Sequence, residues 1–232
     1  MTTPTRLNRD QMAWRASRDI PNGSVVNLGI GLPELVANYV AADQEIIFHS
    51  ENGILGMGPI AESGEEDFDL VSAGKKPITV VPGAAYFDSA LSFAMIRGGH
   101  IDIAVLGAFQ VSRYGDLANW STGEKHTIPS IGGAMDLAAG AKKVFVITTH
   151  TTQDGTPKIV EKCTYPLTGN RTVKTIYTDL AVIDLNDTGP IIREMISGID
   201  LNTLQAKSNT KLTLDPNCKE LKAPLNLGNF FS

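Results

Sequence analysis

The chain has 232 residues, of which 42% are apolar and 19% charged, and its formal net charge is −5. That length holds one large α/β domain or two small ones, with a core that needs no staples. The acidic balance and the lack of any basic run exclude nucleic acid or an anionic membrane as an expected partner.

The first predicted helix is capped by Asn8 or Asp10 and runs to about Ile20, with Met12, Ala13, Ala16 and Ile20 on one face. The N-terminal segment before it lacks the apolar core of a signal peptide. Pro21-Asn22-Gly23 breaks the helix, and residues 25–28 read as a short strand followed by Gly29-Ile30-Gly31-Leu32-Pro33. Pro33 suits the first turn of a second helix to about Ala42. Residues 45–49 supply the next strand, at a spacing that fits a right-handed crossover. The run Ser50-Glu51-Asn52-Gly53-Ile54-Leu55-Gly56-Met57-Gly58-Pro59 then reads as a glycine-rich turn, and residues 60–76 as an acidic surface loop.

Residues 78–81 form a continuous apolar strand ended by Pro82-Gly83-Ala84-Ala85, and residues 89–96 a helix stopped by Arg97-Gly98-Gly99. Residues 101–106 are a buried strand ended by Gly107. A long loop leads to Gly132-Gly133, a helix through residues 134–138 and a strand over 143–148. The last third carries shorter β-like segments at 173–176, 180–184 and 191–195, which fit antiparallel strands appended to the sheet. The pattern decays after about Asp215, so residues 1–215 read as one domain and 216–232 as a C-terminal tail. The expected fold class is α/β: a mostly parallel twisted sheet flanked by helices, with added antiparallel strands. No run of about 18 apolar residues is present to span a bilayer.

One event recurs: an apolar strand ends in glycine, after Leu28, His49, Val81 and Leu106. Any one of these glycines is explained by a tight turn. Four along one expected sheet edge point to a site, because glycine lets a ligand touch main-chain N–H groups. No phosphate-loop spacing occurs, and Gly29-x-Gly31 lacks the third glycine of the dinucleotide fingerprint, so NAD and ATP find no dedicated motif. His49, His100, His126 and His150 show no ligand spacing and read as structural or solvated; no metal is expected. Cys163 and Cys218 match no zinc or redox spacing and are expected as reduced thiols in a cytoplasm, Cys163 packed and not nucleophilic. The acidic run Glu65, Glu66, Asp67, Asp69 reads as a solvated face.

Glu51 remains, alone at a strand tip with glycine around it. There it can serve as base, metal ligand or nucleophile, or it is only a turn glutamate. A desolvated carboxylate is a capable nucleophile against a thioester, and main-chain N–H groups can hold the resulting oxyanion without metal or redox cofactor.

Ser50-Glu51-Asn52-Gly53 with Gly56-Met57-Gly58-Pro59 resembles the active-site signature of the family I CoA-transferases, in their β (B) subunit. The resemblance extends through Val26-Asn27-Leu28-Gly29-Ile30-Gly31, Ser92-Phe93-Ala94-Met95-Ile96-Arg97-Gly98-Gly99-His100 and Leu106-Gly107-Ala108-Phe109-Gln110. It continues at Gly132-Gly133-Ala134-Met135-Asp136-Leu137 and Cys163-Thr164-Tyr165-Pro166-Leu167-Thr168-Gly169. It implies the fold shared by NagB, RpiA and the CoA-transferases, and a ping-pong exchange in which coenzyme A is a substrate carried covalently on Glu51, with no cofactor. It implies that the Gly132-Gly133 loop lends a main-chain oxyanion donor. Asn27 and Asn52 are expected to orient the carboxylate, with Gly29, Gly31 and Gly53 in support. It also implies an α (A) subunit as partner, commonly in an α2β2 assembly, which adds a side-chain oxyanion donor; this chain is then inactive alone.

Within the family, the segment Ser121-Thr122-Gly123-Glu124-Lys125-His126-Thr127-Ile128-Pro129-Ser130, with Tyr165-Pro166, resembles the enzymes of 3-oxoadipate. The succinyl-CoA:acetoacetate branch carries a Met-Ile-Pro-Gly-Lys type of segment there. The acid pair implied is succinyl-CoA with 3-oxoadipate; succinyl-CoA:acetoacetate and acetate/butyrate-acetoacetate exchange are the alternatives. A dicarboxylate acceptor calls for an extra cation, for which Arg97, Arg113 and Lys125 are candidates unless the partner chain supplies it. Two readings compete from outside transfer chemistry: a non-catalytic metabolite-binding domain on the same architecture, and a thioester hydrolase with Glu51 as base.

Overall fold

The structure is a computed structural model and describes residues 6–41, 43–123, 131–224 and 227. Helix α1 (Arg9–Ser17) opens with a capping box: the Gln11 N–H donates to Asn8 Oδ1 at 2.8 Å and the Asn8 N–H to Gln11 Oε1 at 2.9 Å. Strand β1 (Val25–Leu28) follows, then a 3-10 helix (Pro33–Tyr39) with Pro33 in its first turn, then β2 (Ile47–Ser50). The 3-10 helix stops before the expected end near Ala42, where Ser17 Oγ donates to the Tyr39 carbonyl at 2.9 Å and ties the two helices together.

Strands β3 (Ile54–Ile60) and β4 (Ile78–Tyr86) correct the expectation drawn from the residues. The glycine-rich run is a turn only over its first residues. It then returns as an antiparallel strand, with Ser50 opposite Ile54 and His49 opposite Leu55. Its glycines disguise it: Gly56 sits at φ +89° where the register with β4 shifts, and Gly58 lies against the Thr79 backbone. Strand β4 runs through Pro82-Gly83 without ending at Val81. It forms one edge of the sheet, where a residue without an N–H is tolerated, and it is largely exposed and not a buried central strand.

Helix α2 (Ser89–Arg97) is capped by Asp88 and leads to β5 (Ile103–Leu106), all four residues of which are buried. The long loop predicted next contains β6 (Gln110–Ser112) and β7 (Leu117–Ala118). After it come α3 (Ala134–Gly140), β8 (Lys143–Ile147), β9 (Ile159–Val160), β10 (Val173–Tyr177), β11 (Ala181–Asn186), β12 (Gly189–Met195), α4 (Leu201–Gln205) and β13 (Thr213–Glu220). Among the described residues these make a ten-stranded sheet in the order β13-β12-β11-β10-β8-β5-β1-β2-β3-β4, and a small sheet β7-β6-β9. The five central strands from β2 to β10 are parallel. Antiparallel pairs flank them, as expected for β11 and β12 and unforeseen for β3 and β4.

The expected C-terminal tail is also corrected. Strand β13 crosses residue 215 and pairs parallel with β12, with Met195 opposite Glu220; Leu221 beyond it is buried. The pattern decays there because β13 is the other sheet edge and buries none of its residues fully. A buried charge network fastens α1 to this half of the sheet. Arg15 pairs with both Glu194 oxygens (2.8 and 2.5 Å) and with Asp19 (2.9 Å), and Asp19 accepts from the Tyr177 hydroxyl at 2.7 Å. Among the described residues no helix is long and apolar enough to cross a membrane.

Glycine is required at the turn that leads from β2 into β3. Gly53 has φ +116°, its N–H reaches the Ser50 carbonyl at 3.0 Å, and a Cβ there would collide with the Phe87 carbonyl oxygen. Gly53→Ala is therefore expected to cost about 3 kcal/mol through left-handed strain and backbone collision. The thermal midpoint falls by roughly 6–12 °C. Gly107→Ala, at a position with open space and no positive φ, stays within about 0.5 kcal/mol in the same calorimetric series.

Candidate active site

Because β1, β2, β5 and β8 are parallel and nearly in register, their carboxyl ends stand side by side: Asn27 lies beside His49 and Ala104, and Leu106 beside Val146. A cavity of about 540 Å³ opens along these ends. Leu28-Gly29 from β1, Ser50-Glu51 from β2, Leu106-Gly107 from β5 and Ile147-Thr148 from β8 line it, and Gly132-Gly133 faces them. Ligands of open α/β sheets enter at this crevice. Three of the four glycine-ended strands meet here; the fourth, at Val81, proved to be edge strand.

Glu51 is half-buried and receives the backbone N–H of Gly133. Burial pushes its carboxyl above the ordinary carboxylate range, the Gly133 N–H opposes that rise, and the nearby Asp136 charge adds to it. Gly133 has to be glycine for this contact: a Cβ would collide with Glu51 Oε2 and come within 3.0 Å of the Phe93 ring. Gly132 supplies the left-handed step before it, at φ +49°. The result is a carboxylate stripped of part of its water, held by one main-chain donor, with raised basicity and an open face toward the cavity. Among the described residues, no group of three or more His, Cys, Asp or Glu side chains is arranged to hold a metal ion.

The expected roles of the two asparagines are corrected. Asn27, 2% exposed, donates from Nδ2 to the His49 carbonyl at 3.1 Å and to His49 Nδ1 at 3.0 Å. Asn52 is exposed and donates to the Val71 carbonyl at 2.8 Å. Neither amide is spent on the Glu51 carboxylate. Asn27 stitches the end of β1 to β2, and Asn52 ties the turn to the following loop. Gly29 packs β1 against β5, its N–H on the Val105 carbonyl at 2.8 Å. Gly31 takes φ +93° and donates to Glu34 at 3.1 Å. Gly31, Asn52 and Gly53 do not line the cavity.

Sequence reasoning missed His49 as part of the site. Its Nδ1 must accept from the Asn27 amide, so its proton sits on Nε2 and is shared with Ser92 Oγ at 3.0 Å. Burial holds the imidazole neutral by pushing its pKa down to about 4. A signal was available: Asn27 and His49 each interrupt an apolar strand, and buried polar groups in neighbouring strands require each other. His150 is likewise buried and lowered to about 4 by burial, with Nε2 2.8 Å from Ser208 Oγ, and does not itself line the cavity.

Of the candidate cations, Arg97 pairs with Asp136 at 2.6 Å and Arg113 with Glu161 at 2.9 Å, and neither lines the cavity; Lys125, with His126, lies outside the described residues. The cavity holds Arg9 and Lys158 instead. Cys163 is packed as expected: burial raises its thiol to about 11 and Sγ contacts the Asp116 carbonyl at 3.6 Å. The acidic run of residues 65–69 lies at the surface.

A strand-tip carboxylate met by a main-chain N–H at a parallel-sheet crevice has the parts that acyl chemistry uses. The family model "Coenzyme A transferase" matches residues 9–204, and the chain belongs to that family. It is 55% identical over 212 residues to the B subunit of the 3-oxoadipate CoA-transferase of Pseudomonas putida, covering 91% of this chain and 99% of that one. It is 48% identical over 203 residues to the B subunit of the succinyl-CoA:3-ketoacid coenzyme A transferase of Helicobacter pylori, covering 88% and 97%. The acyl-CoA transferase YdiF of Escherichia coli O157:H7 shares the fold, with a TM-score of 0.73, 22% identity, and coverage of 95% of this chain and 44% of that one.

The two buried histidines set an acid limit. Each binds a proton near pH 6.5 when unfolded and only near pH 4 when folded, so the unfolded state holds more protons in between. Stability is full above about pH 6.5 and is lost as pH falls toward 4, by on the order of 3 kcal/mol per histidine. Urea titrations of the wild type across pH 7 to 4 should show this decline, and His150→Gln should reduce it by about half, the share of His49 remaining.

Proposed function

We propose that this CoA-transferase chain is a β subunit that moves coenzyme A from succinyl-CoA to a 3-oxo acid, 3-oxoadipate first, through a thioester on Glu51. The observation that carries the reading is the half-desolvated Glu51 carboxylate resting on the Gly133 N–H.

The Glu51 oxygen attacks the thioester carbonyl of the donor. The C–S bond breaks, coenzyme A leaves as thiolate, and an acyl-glutamyl anhydride remains. The thiolate then attacks the glutamyl carbonyl carbon. The oxyanion of this second addition develops on Glu51's own oxygen, where the Gly133 N–H already points, so the donor is in place before charge arrives. Collapse releases the donor acid and leaves coenzyme A on Glu51. The acceptor carboxylate enters and the steps run in reverse. Each thioester is made from another, so no ATP, metal or redox cofactor is consumed.

Two further points belong to the same reading. The two bacterial relatives are B subunits, which supports a separate α subunit that completes the site, in an α2β2 assembly. The 55% identity to the 3-oxoadipate enzyme against 48% to the 3-ketoacid enzyme favours 3-oxoadipate over acetoacetate as acceptor. The two free thiols fit a reducing cytoplasm.

With an α subunit present, Glu51→Gln should lower exchange by roughly 10⁴-fold or more. Wild type incubated with acyl-CoA and borohydride should carry a reduced residue at position 51, located by peptide mass spectrometry. Near-normal exchange by Glu51→Gln, with deamidation excluded, removes Glu51 from the role. Consumption of acyl-CoA without any acceptor acid would favour hydrolysis instead.

A further inference from the structure

Lys158 stands in the wall of the cavity opposite Glu51 in strand order: Glu51 follows β2, and Lys158 lies over the end of β8, with β1 and β5 between them. Three strand spacings separate the two ends, roughly 14 Å between strand axes. The Lys158 backbone is fixed on both sides. Its N–H reaches the His150 carbonyl at 3.2 Å, and its carbonyl accepts from the Val111 N–H at 2.8 Å. The side chain therefore enters the cavity from a rigid point.

Its ammonium is half-buried and donates to Thr148 Oγ1 at 2.9 Å; that hydroxyl is buried and passes its own proton to the Ala108 carbonyl at 3.1 Å. Among the described residues no carboxylate lies within ion-pair distance of it. Asp179, the acid that acts on it from farther off, is already taken by Arg6 at 3.1 Å and by the His150 N–H at 2.7 Å. Burial holds the Lys158 ammonium below the usual lysine range. A half-buried cation with only neutral partners is costly unless an anion joins it. Arg9, the cavity's other described cation, is exposed at the rim.

We propose that Lys158 is a specificity-determining residue that pairs with the free carboxylate of a dicarboxylic acyl group while Glu51 meets the thioester end. The proposal rests on the CoA-transferase reading above. A small carboxylate suits this position, because the ammonium sits against a buried strand end and not on an open rim where nucleotide phosphates could spread. Lys158 touches substrate at the end remote from the reacting bond, so its loss weakens binding of one acyl class and does not remove the nucleophile.

The test uses the assembled two-subunit enzyme with wild type, K158M, K158Q and K158R. The quantities measured are the KM for succinyl-CoA and the inhibition constant of free coenzyme A, which share every contact except those of the succinyl group. K158M and K158Q should raise the succinyl-CoA KM by about tenfold or more, as expected for a partly buried charged pair. The coenzyme A constant should move less than threefold, and K158R should keep most of the wild-type KM. K158Q retains a donor for Thr148, so it keeps the comparison available if K158M misfolds. Equal rises in both constants would assign the cation to coenzyme A and overturn the proposal. So would an unchanged succinyl-CoA KM in K158M and K158Q. A wild-type complex that exchanges no acyl-CoA at all overturns the transferase reading and this assignment with it; exchange that survives with an unmoved KM overturns only Lys158.

Discussion

The site depends on one close approach: the Glu51 carboxylate against a main-chain N–H at residue 133, where no side chain intervenes. A methyl group at that position would occupy the space the carboxylate needs. The contact does two opposed things. Burial raises the energy of the anion, and the hydrogen bond offsets part of that rise. The outcome is a carboxylate more basic than a solvated one. In the proposed exchange the same N–H faces the oxygen that becomes charged when the glutamyl carbonyl is attacked in turn. One donor would then serve ground state and oxyanion, because both charges sit on the same side chain.

Behind that contact lies a neutral scaffold. Asn27, His49 and Ser92 form a chain whose donors and acceptors are assigned by the Asn27 amide, which can only donate to the ring. A cationic histidine two residues from Glu51 would pull the carboxylate's pKa down and quiet it as a nucleophile. Burial prevents this by holding the ring uncharged. The chain also crosses from β1 through β2 to α2, so it fixes where β2 ends and hence where Glu51 begins. The Gly53 turn limits the same position from the other side, against the Phe87 carbonyl. Charge is thus concentrated in the cavity and excluded from its support, an arrangement that keeps local electrostatics in the hands of few groups.

The architecture explains why a single crevice collects these parts. Parallel strands present all their carboxyl ends on one side of the sheet, and β8, β5, β1 and β2 follow one another there. The antiparallel strands on both flanks extend the sheet without adding to the cavity's strand ends. The architecture alone does not select the reaction. The family match names the class of chemistry, and the Glu51–Gly133 geometry is what the proposed mechanism builds on.

Much was legible in the residues themselves. Continuous apolar runs announce buried parallel strands such as 103–106 and 143–147, and Asn8, Pro33 and Asp88 mark helix starts by local hydrogen bonding and ring geometry, which need no distant partner. Glu51 stood out because a lone carboxylate at a strand tip among glycines has few structural uses. Edge strands β3, β4 and β13 were missed, since an edge buries too little to impose a pattern and tolerates the glycines and proline that normally signal a turn. What Asn27 does, where Arg97 and Arg113 point, and that Lys158 shares a cavity with Glu51 were beyond local reading. Those facts depend on which strands become neighbours and in what register, and that is decided by packing between segments far apart in the chain. Local residue pattern therefore singled out the central carboxylate, while the tertiary structure alone chose its company.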